Sequence, residues 1–338
     1  MGYWDVWVQY TKMYVKPKYF YALIMFCILL CVRFLIPPTN FADYYSYELI
    51  ISNAPSILDN SLYEWLSYST FSMMGGLRLL GVDPVYWSYI YHFLFTTVLF
   101  FWLFRTSNCT LTGVVFVISL YAPLFSFVIL RAAPAYLMIA LSVFYCAHGM
   151  KKASSILALI SVLYHISAIL PAMVILFLNI AGFRLFKFSN LIFKIATIMA
   201  IFQMINFWLR IDLMPSGIKE LISGYELIEK YSAYADAPVD GSIYHVVYFL
   251  ACSLMVALAK IKNKFISEYF LMYCYILFGV CAILMVSPAT SFRMSVFYFL
   301  PLLLIFPWHS FLNGVVRYII FAVSPFFLYF SFNGIISQ

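Results

Sequence analysis

Apolar runs of about 18 residues or more, each long enough to cross roughly 30 Å of hydrocarbon as a helix, recur along this chain from Tyr19 almost to its C-terminus. A backbone that crosses lipid must satisfy its own amide and carbonyl groups, which only helices and closed barrels achieve. Barrel strands would read as alternating segments of roughly ten residues. These runs are continuously apolar, so the expected fold class is an all-α polytopic membrane protein. Composition agrees: 65% of the 338 residues are hydrophobic and 10% charged, with mean hydropathy +0.96. Those values lie far from those of a water-soluble globular domain.

The expected spans are residues 19–36, 85–104, 110–130, 132–149, a divided segment 154–181, 188–208, 243–260, 266–286, 290–308 and 314–333. That makes about 10 to 11 transmembrane helices in a single integral membrane domain covering residues 1–338. Two longer polar stretches, about 37–84 and 209–242, interrupt them and read as caps on one surface. The first run has no small-residue cleavage site and is expected to remain as a span. The seven cysteines lie in or beside apolar runs without C-x-x-C spacing, so neither disulfides nor a cysteine metal site is expected.

Lys and Arg in short loops orient such a chain, with the basic side in the cytoplasm. Lys12, Lys16 and Lys18, Arg105, the Lys151–Lys152 pair, Arg184, Lys187 and Lys194, Lys260, Lys262, Lys264 and Arg317 share one side of the expected topology. Only Asp5 and Glu268 oppose them, whereas the other side holds 11 of the 13 acids and the remaining seven basic residues. Topology thus accounts for the net charge of +7, and no nucleic-acid partner is required.

Residues 154–181 are too short for two full spans yet lie between basic residues assigned to the same side. A short or re-entrant hairpin with its tip near His165 and Ser167 satisfies the charges. One long tilted helix is the alternative, and it would reverse everything downstream. On the outer side, Ser61 and Glu64 have capping-box spacing ahead of an apolar run. Ile218, Leu221, Ile222, Tyr225 and Ile228 follow the spacing of an interfacial helix.

Charges in or beside spans are costly, and each is a functional candidate set against simple snorkelling. Arg33, Asp43, Arg131, His165 and Arg293 all fall toward the outer half of the membrane on this topology. Arg131, at the junction of two apolar runs, and Arg293, entering its span from the outer end, are candidate phosphate ligands. Guanidinium offers a bidentate fork and stays charged on burial. Arg33, close to Pro37–Pro38, is expected to snorkel to water. His165 is a candidate general base, with a structural histidine as the competing reading. Asp43 and Glu64 have capping roles available to them. No second histidine stands near His165 at metal-ligand spacing, so no metal is expected.

Taken in order, these residues resemble the EpsG-like branch of Wzy-type bacterial polysaccharide polymerases. The resemblance runs through Asp43-Tyr44-Tyr45-Ser46-Tyr47 after the first span, Tyr63-Glu64-Trp65-Leu66 leading to Gly75-Gly76, Leu130-Arg131, Tyr164-His165-Ile166-Ser167-Ala168 and Phe292-Arg293. Order and spacing carry it, since each piece is short. The family often has Gln after the first of these arginines, and here Ala132 stands there. What the resemblance implies is a multi-pass enzyme of the bacterial cytoplasmic membrane with a GT-C-like membrane glycosyltransferase architecture and an active site facing the periplasm or exterior. It would join oligosaccharide repeat units carried on undecaprenyl diphosphate, with a chain-length regulator and a flippase as potential partners and no cofactor. His165, Asp43 and Glu64 would then be catalytic, and Arg131 and Arg293 would bind the diphosphate. A lipid-linked-sugar flippase, a membrane O-acetyltransferase and a non-catalytic assembly protein are the competing readings. A flippase would line a path open to both faces with cations, and an acetyltransferase fed from the cytoplasm would place its chemistry on the inner side.

Overall fold

The expected apolar runs are helices in the computed structural model, which describes residues 16–37, 39, 45, 48–49, 84–127, 129–130, 132–181, 186–209, 243–261, 267–286 and 288–336. In chain order these are α1 (Pro17–Leu35), α2 (Pro84–Thr106), α3 (Leu111–Phe127), α4 (Ala132–Ala147), α5 (Lys151–Tyr164), α6 (Ile169–Ala181), α7 (Ser189–Leu209), α8 (Ile243–Ile261), α9 (Glu268–Ile283), α10 (Pro288–Ile305), the single turn α11 (Trp308–Phe311) and α12 (Gly314–Ile336). No strand occurs among the described residues. Three segments are long and apolar enough to cross a membrane: Pro17–Leu35, Tyr86–Thr106 and Phe186–Ile205. The other apolar segments are shorter: Gly314–Phe326 runs 13 residues and α4 16. At 1.5 Å per residue α4 measures about 24 Å, less than a full hydrocarbon crossing.

The bundle is apolar outside as well as within, and a few polar side chains are buried in its apolar core. Large apolar side chains such as Phe20, Leu23, Ile198 and Leu254 face outward, while His92, Thr96, Ser126, Ser142 and Ser161 are buried. An apolar exterior of this kind is the arrangement expected when the surrounding solvent is lipid. Helix α4 is buried all round from Ala132 to Phe144 and again at Cys146, and forms the centre of the bundle. Its small residues let neighbours approach closely: Ser142 Oγ donates to the Ser154 carbonyl of α5 at 2.7 Å. The α4–α5 turn closes on Gly149, whose φ of +78° is a left-handed conformation that glycine adopts without steric penalty. Met150 N donates to Tyr145 O and Gly149 N to Cys146 O, both at 2.8 Å, which is the Schellman pattern.

A second glycine has a packing role. A Cβ on Gly113 would lie 2.9 Å from Leu303 O and 3.0 Å from Leu304 O, so α3 meets the backbone of α10 without room for a side chain. The Gly113→Val protein is therefore expected to lose about 1–3 kcal/mol of stability, the usual range for overpacking. Thermal melting in detergent checks this, and an unchanged melting temperature would mean that α10 moves aside freely.

Side-chain contacts gather the basic residues at one end of the bundle. Lys18 Nζ donates to Cys109 O at 2.9 Å, setting the start of α1 beside the α2–α3 turn that follows Arg105. Trp102 Nε1 donates to Tyr145 Oη at 2.8 Å, bringing the ends of α2 and α4 together. Lys151 Nζ donates to Asn179 O at 3.0 Å, joining the start of α5 to the end of α6. Lys260 Nζ donates to Asn190 Oδ1, joining the end of α8 to the start of α7. The Gly113 contact adds the end of α10, after which α12 begins close to Arg317.

The Lys151–Asn179 contact decides the form of residues 154–181. Helix α5 packs on α6, and the chain returns to the end it left. It is a hairpin, and the long single helix is ruled out. Each arm is short: the 14 residues of α5 span about 21 Å.

Candidate functional site

The hairpin tip is built by His165. Helix α5 stops because His165 turns extended (φ −157°, ψ 128°), and a 3-10 turn, Ile166–Ala168, leads into α6. His165 caps that turn with its ring: Nδ1 accepts from Ser167 N at 3.2 Å and lies 2.6 Å from Ser167 Oγ. An amide N–H only donates, so Nδ1 is the acceptor nitrogen, and the neutral ring carries its proton on Nε2. His165 thus does two jobs in this arrangement. It ends one helix and starts the next, and it presents a donor at Nε2.

The depth of the tip follows from its neighbours. Tyr164 stacks on Phe95 with centroids 5.6 Å apart, and Phe95 stacks on Tyr91 at 5.9 Å. Phe95 stands midway along the 23 residues of α2. His165 therefore lies at half the height of the bundle, where an ordinary span would have unbroken helix. Irregular backbone at such depth is tolerated inside protein or beside a cavity.

Arg33 differs from its expected behaviour. It does not reach water and is only 1% exposed. The last turn of α1 faces the start of α2, so the guanidinium lies 5.4 Å from the Tyr86 ring centre and 5.0 Å from that of Tyr89. Nη1 also reaches Ile36 O at 3.5 Å. A delocalised, weakly hydrated cation held on two aromatic faces is far better accommodated there than an ammonium would be. Burial rather than snorkelling is the result.

Arg293 lies in the first turns of α10 and is exposed. Phe292 beside it packs on Tyr248 of α8 with centroids 4.7 Å apart. Because α10 ends against Gly113 at the basic end, its start, with Arg293, belongs to the opposite end. Arg33 lies at that opposite end too, since α1 begins at the basic end with Lys18. Three candidate residues, Arg131, Asp43 and Glu64, fall outside the described residues. So do the capping box at Ser61 and the interfacial helix expected within 218–234.

One buried imidazole escaped the sequence reading. His92 is fully buried in α2, one turn before Thr96 and one turn after Ser88, both also buried. The signal was present in the sequence, since an imidazole inside an apolar run meets the same criterion that singled out His165. A dense aromatic setting, Tyr89-Ile90-Tyr91-His92-Phe93, concealed it. Among the described residues no group of three or more His, Cys, Asp and Glu is placed to hold a metal ion.

At the end of the bundle away from the described lysines this arrangement presents one exposed guanidinium, Arg293, and at half depth an imidazole. No family model, curated protein or solved structure matches the chain.

Proposed function

We propose that this chain is a Wzy-type polysaccharide polymerase that transfers a glycan from undecaprenyl diphosphate to a hydroxyl of the next lipid-linked repeat unit at the outer face of the bacterial cytoplasmic membrane. The observation that carries the reading is the segregation of charge in the folded chain. The basic residues that would mark the cytoplasm share one end, Arg33 and Arg293 belong to the other, and His165 stands between them on an interrupted hairpin. A donor and acceptor that both arrive on the outer leaflet need their chemistry on that side alone.

In this reading Arg131 and Arg293 hold the diphosphate and stabilise the charge that grows on it as the bond between the glycan's anomeric carbon and the diphosphate oxygen breaks. The acceptor oxygen forms the new bond to the anomeric carbon and its proton must leave. With Nε2 protonated and Nδ1 engaged by Ser167 N at 3.2 Å and Ser167 Oγ at 2.6 Å, His165 takes that proton at Nδ1 once the acceptor hydroxyl replaces those Ser167 contacts. Asp43 and Glu64 would orient sugar hydroxyls or share the base role. No step calls for a metal.

The test is reconstitution of the purified protein in vesicles with undecaprenyl-diphosphate-linked repeat units of its host. A ladder of products on a gel is the expected result. Transbilayer movement without a ladder would make the chain a flippase, and acetylation of the glycan would make it an acyltransferase.

A further inference from the structure

We infer that the lateral groove between α7 and α8 seats an acyl chain of an anionic phospholipid, with Lys260 holding the phosphate at the groove's mouth. This rests on the chain being a membrane protein and is independent of the polymerase reading.

The groove is a cavity of about 690 Å³ walled by α7 and α8 and floored by Phe278 of α9. Small side chains on the facing walls, Thr197 and Ala200 against Ser253 and Ala257, leave the space between the two helices. Its two hydroxyl residues do not make it polar. Thr197 Oγ1 donates to Phe193 O and Ser253 Oγ to Phe249 O, each at 2.8 Å within its own helix, so the groove meets carbon. A dry, apolar channel holds hydrocarbon without stranding a polar group. From Phe193 to Ile205 it follows α7 for about 18 Å, the scale of one phospholipid tail. The Phe186–Ile205 segment is also the least buried of the three long apolar helices, at 11%, which leaves this wall open to the surroundings.

Charge selects the headgroup. The Lys260 ammonium lies 5.9 Å from the ring centre of Phe193, the first residue of the groove, and 5.5 Å from that of Tyr275. It also donates to Asn190. These partners fix the cation in place, and none of them neutralises it. Lys187 and Lys194 are exposed on the same end of α7, and Lys262 and Lys264 follow in the sequence. Basic residues between helices at the cytoplasmic side bind anionic headgroups, each worth roughly a fivefold gain in affinity. An apolar wall alone would accept any lipid; the fixed ammonium at its mouth favours phosphate with net negative charge.

Native mass spectrometry of the delipidated full-length protein tests this, with phosphatidylglycerol, phosphatidylethanolamine of identical chains and undecaprenyl phosphate offered separately and in competition. One phosphatidylglycerol is expected to bind at least about fivefold more tightly than phosphatidylethanolamine. Lys260→Gln should erase that preference and leave phosphatidylethanolamine binding unchanged, while Lys260→Arg should retain it. Ala257→Phe, which fills the groove one turn from Lys260, should remove the bound lipid of either headgroup. If that variant fails to fold, the Lys260 pair decides alone. Equal binding of the two phospholipids, indifference to Lys260→Gln, or displacement of phosphatidylglycerol by undecaprenyl phosphate would each overturn the inference.

Discussion

The His165→Asn protein is expected to melt like the parent and to extend lipid-linked glycans at least about 100-fold more slowly, the lower end of what a general acid or base contributes. The reasoning separates the two jobs of this residue. The ring caps the 3-10 turn by accepting from Ser167 N. An asparagine side-chain oxygen is a good acceptor at such a position, so the turn and the hairpin should survive. What asparagine lacks is a nitrogen that takes up or releases a proton near neutrality. His165→Ala removes both functions and should in addition lose about 1 kcal/mol of stability, the usual loss for a deleted cap. Measuring melting in detergent beside ladder formation distinguishes them. Full activity in the asparagine variant would leave His165 with a structural role only. Full activity with lower stability in the alanine variant would say the same.

Arg131→Ala and Arg293→Ala are each expected to slow polymer formation by about 100-fold or more, as removal of one group that stabilises developing negative charge commonly does. Lysine should restore only part of the rate at either position, because an ammonium supplies charge without the planar, two-pronged donor geometry that grips a diphosphate. Initial rates of ladder formation with a purified lipid-linked repeat are the measurement. Arg33 is a comparison of a different kind. Its guanidinium is engaged with Tyr86 and Tyr89, so Arg33→Ala should act on melting temperature before it acts on rate. A smaller loss of rate from Arg293→Lys than from Arg293→Ala, still short of the parent, would fit charge plus a bidentate grip, whereas normal rates from both alanine variants would remove the diphosphate role.

The apolar runs were legible because helix in lipid is dictated by local composition. The run expected over 188–208 is α7, and that over 85–104 is α2. Their ends shift by a few residues where a cap or turn, such as Gly149 at the close of α4, overrides the run of hydrophobicity. The basic residues were also readable as a set, since loop charge is a property of position along the chain, and the fold gathers the described ones at one end. Harder to read was anything that depends on which face of a helix meets which neighbour. Arg33 was expected in water because Pro37 and Pro38 follow it, and no local rule announces that Tyr86 and Tyr89, far along the chain, supply two ring faces. His92 is a different case, since an imidazole inside an apolar run is a signal the sequence itself carries.

By itself, then, the sequence determined that this protein is helical, that its helices are apolar enough to sit in lipid, and that the lysines of its short loops belong together. Those properties follow from the cost of unsatisfied backbone and of charge in hydrocarbon, both of which act residue by residue. Only the tertiary structure decided that residues 154–181 double back, because the deciding contact joins Lys151 to Asn179 across the whole segment. It alone set His165 at half the height of the bundle against Phe95 by way of Tyr164. It alone parted α7 from α8 into a groove that ends at Lys260. Packing between distant helices is a matter of shape and of pairs, and neither is written in any one stretch of chain.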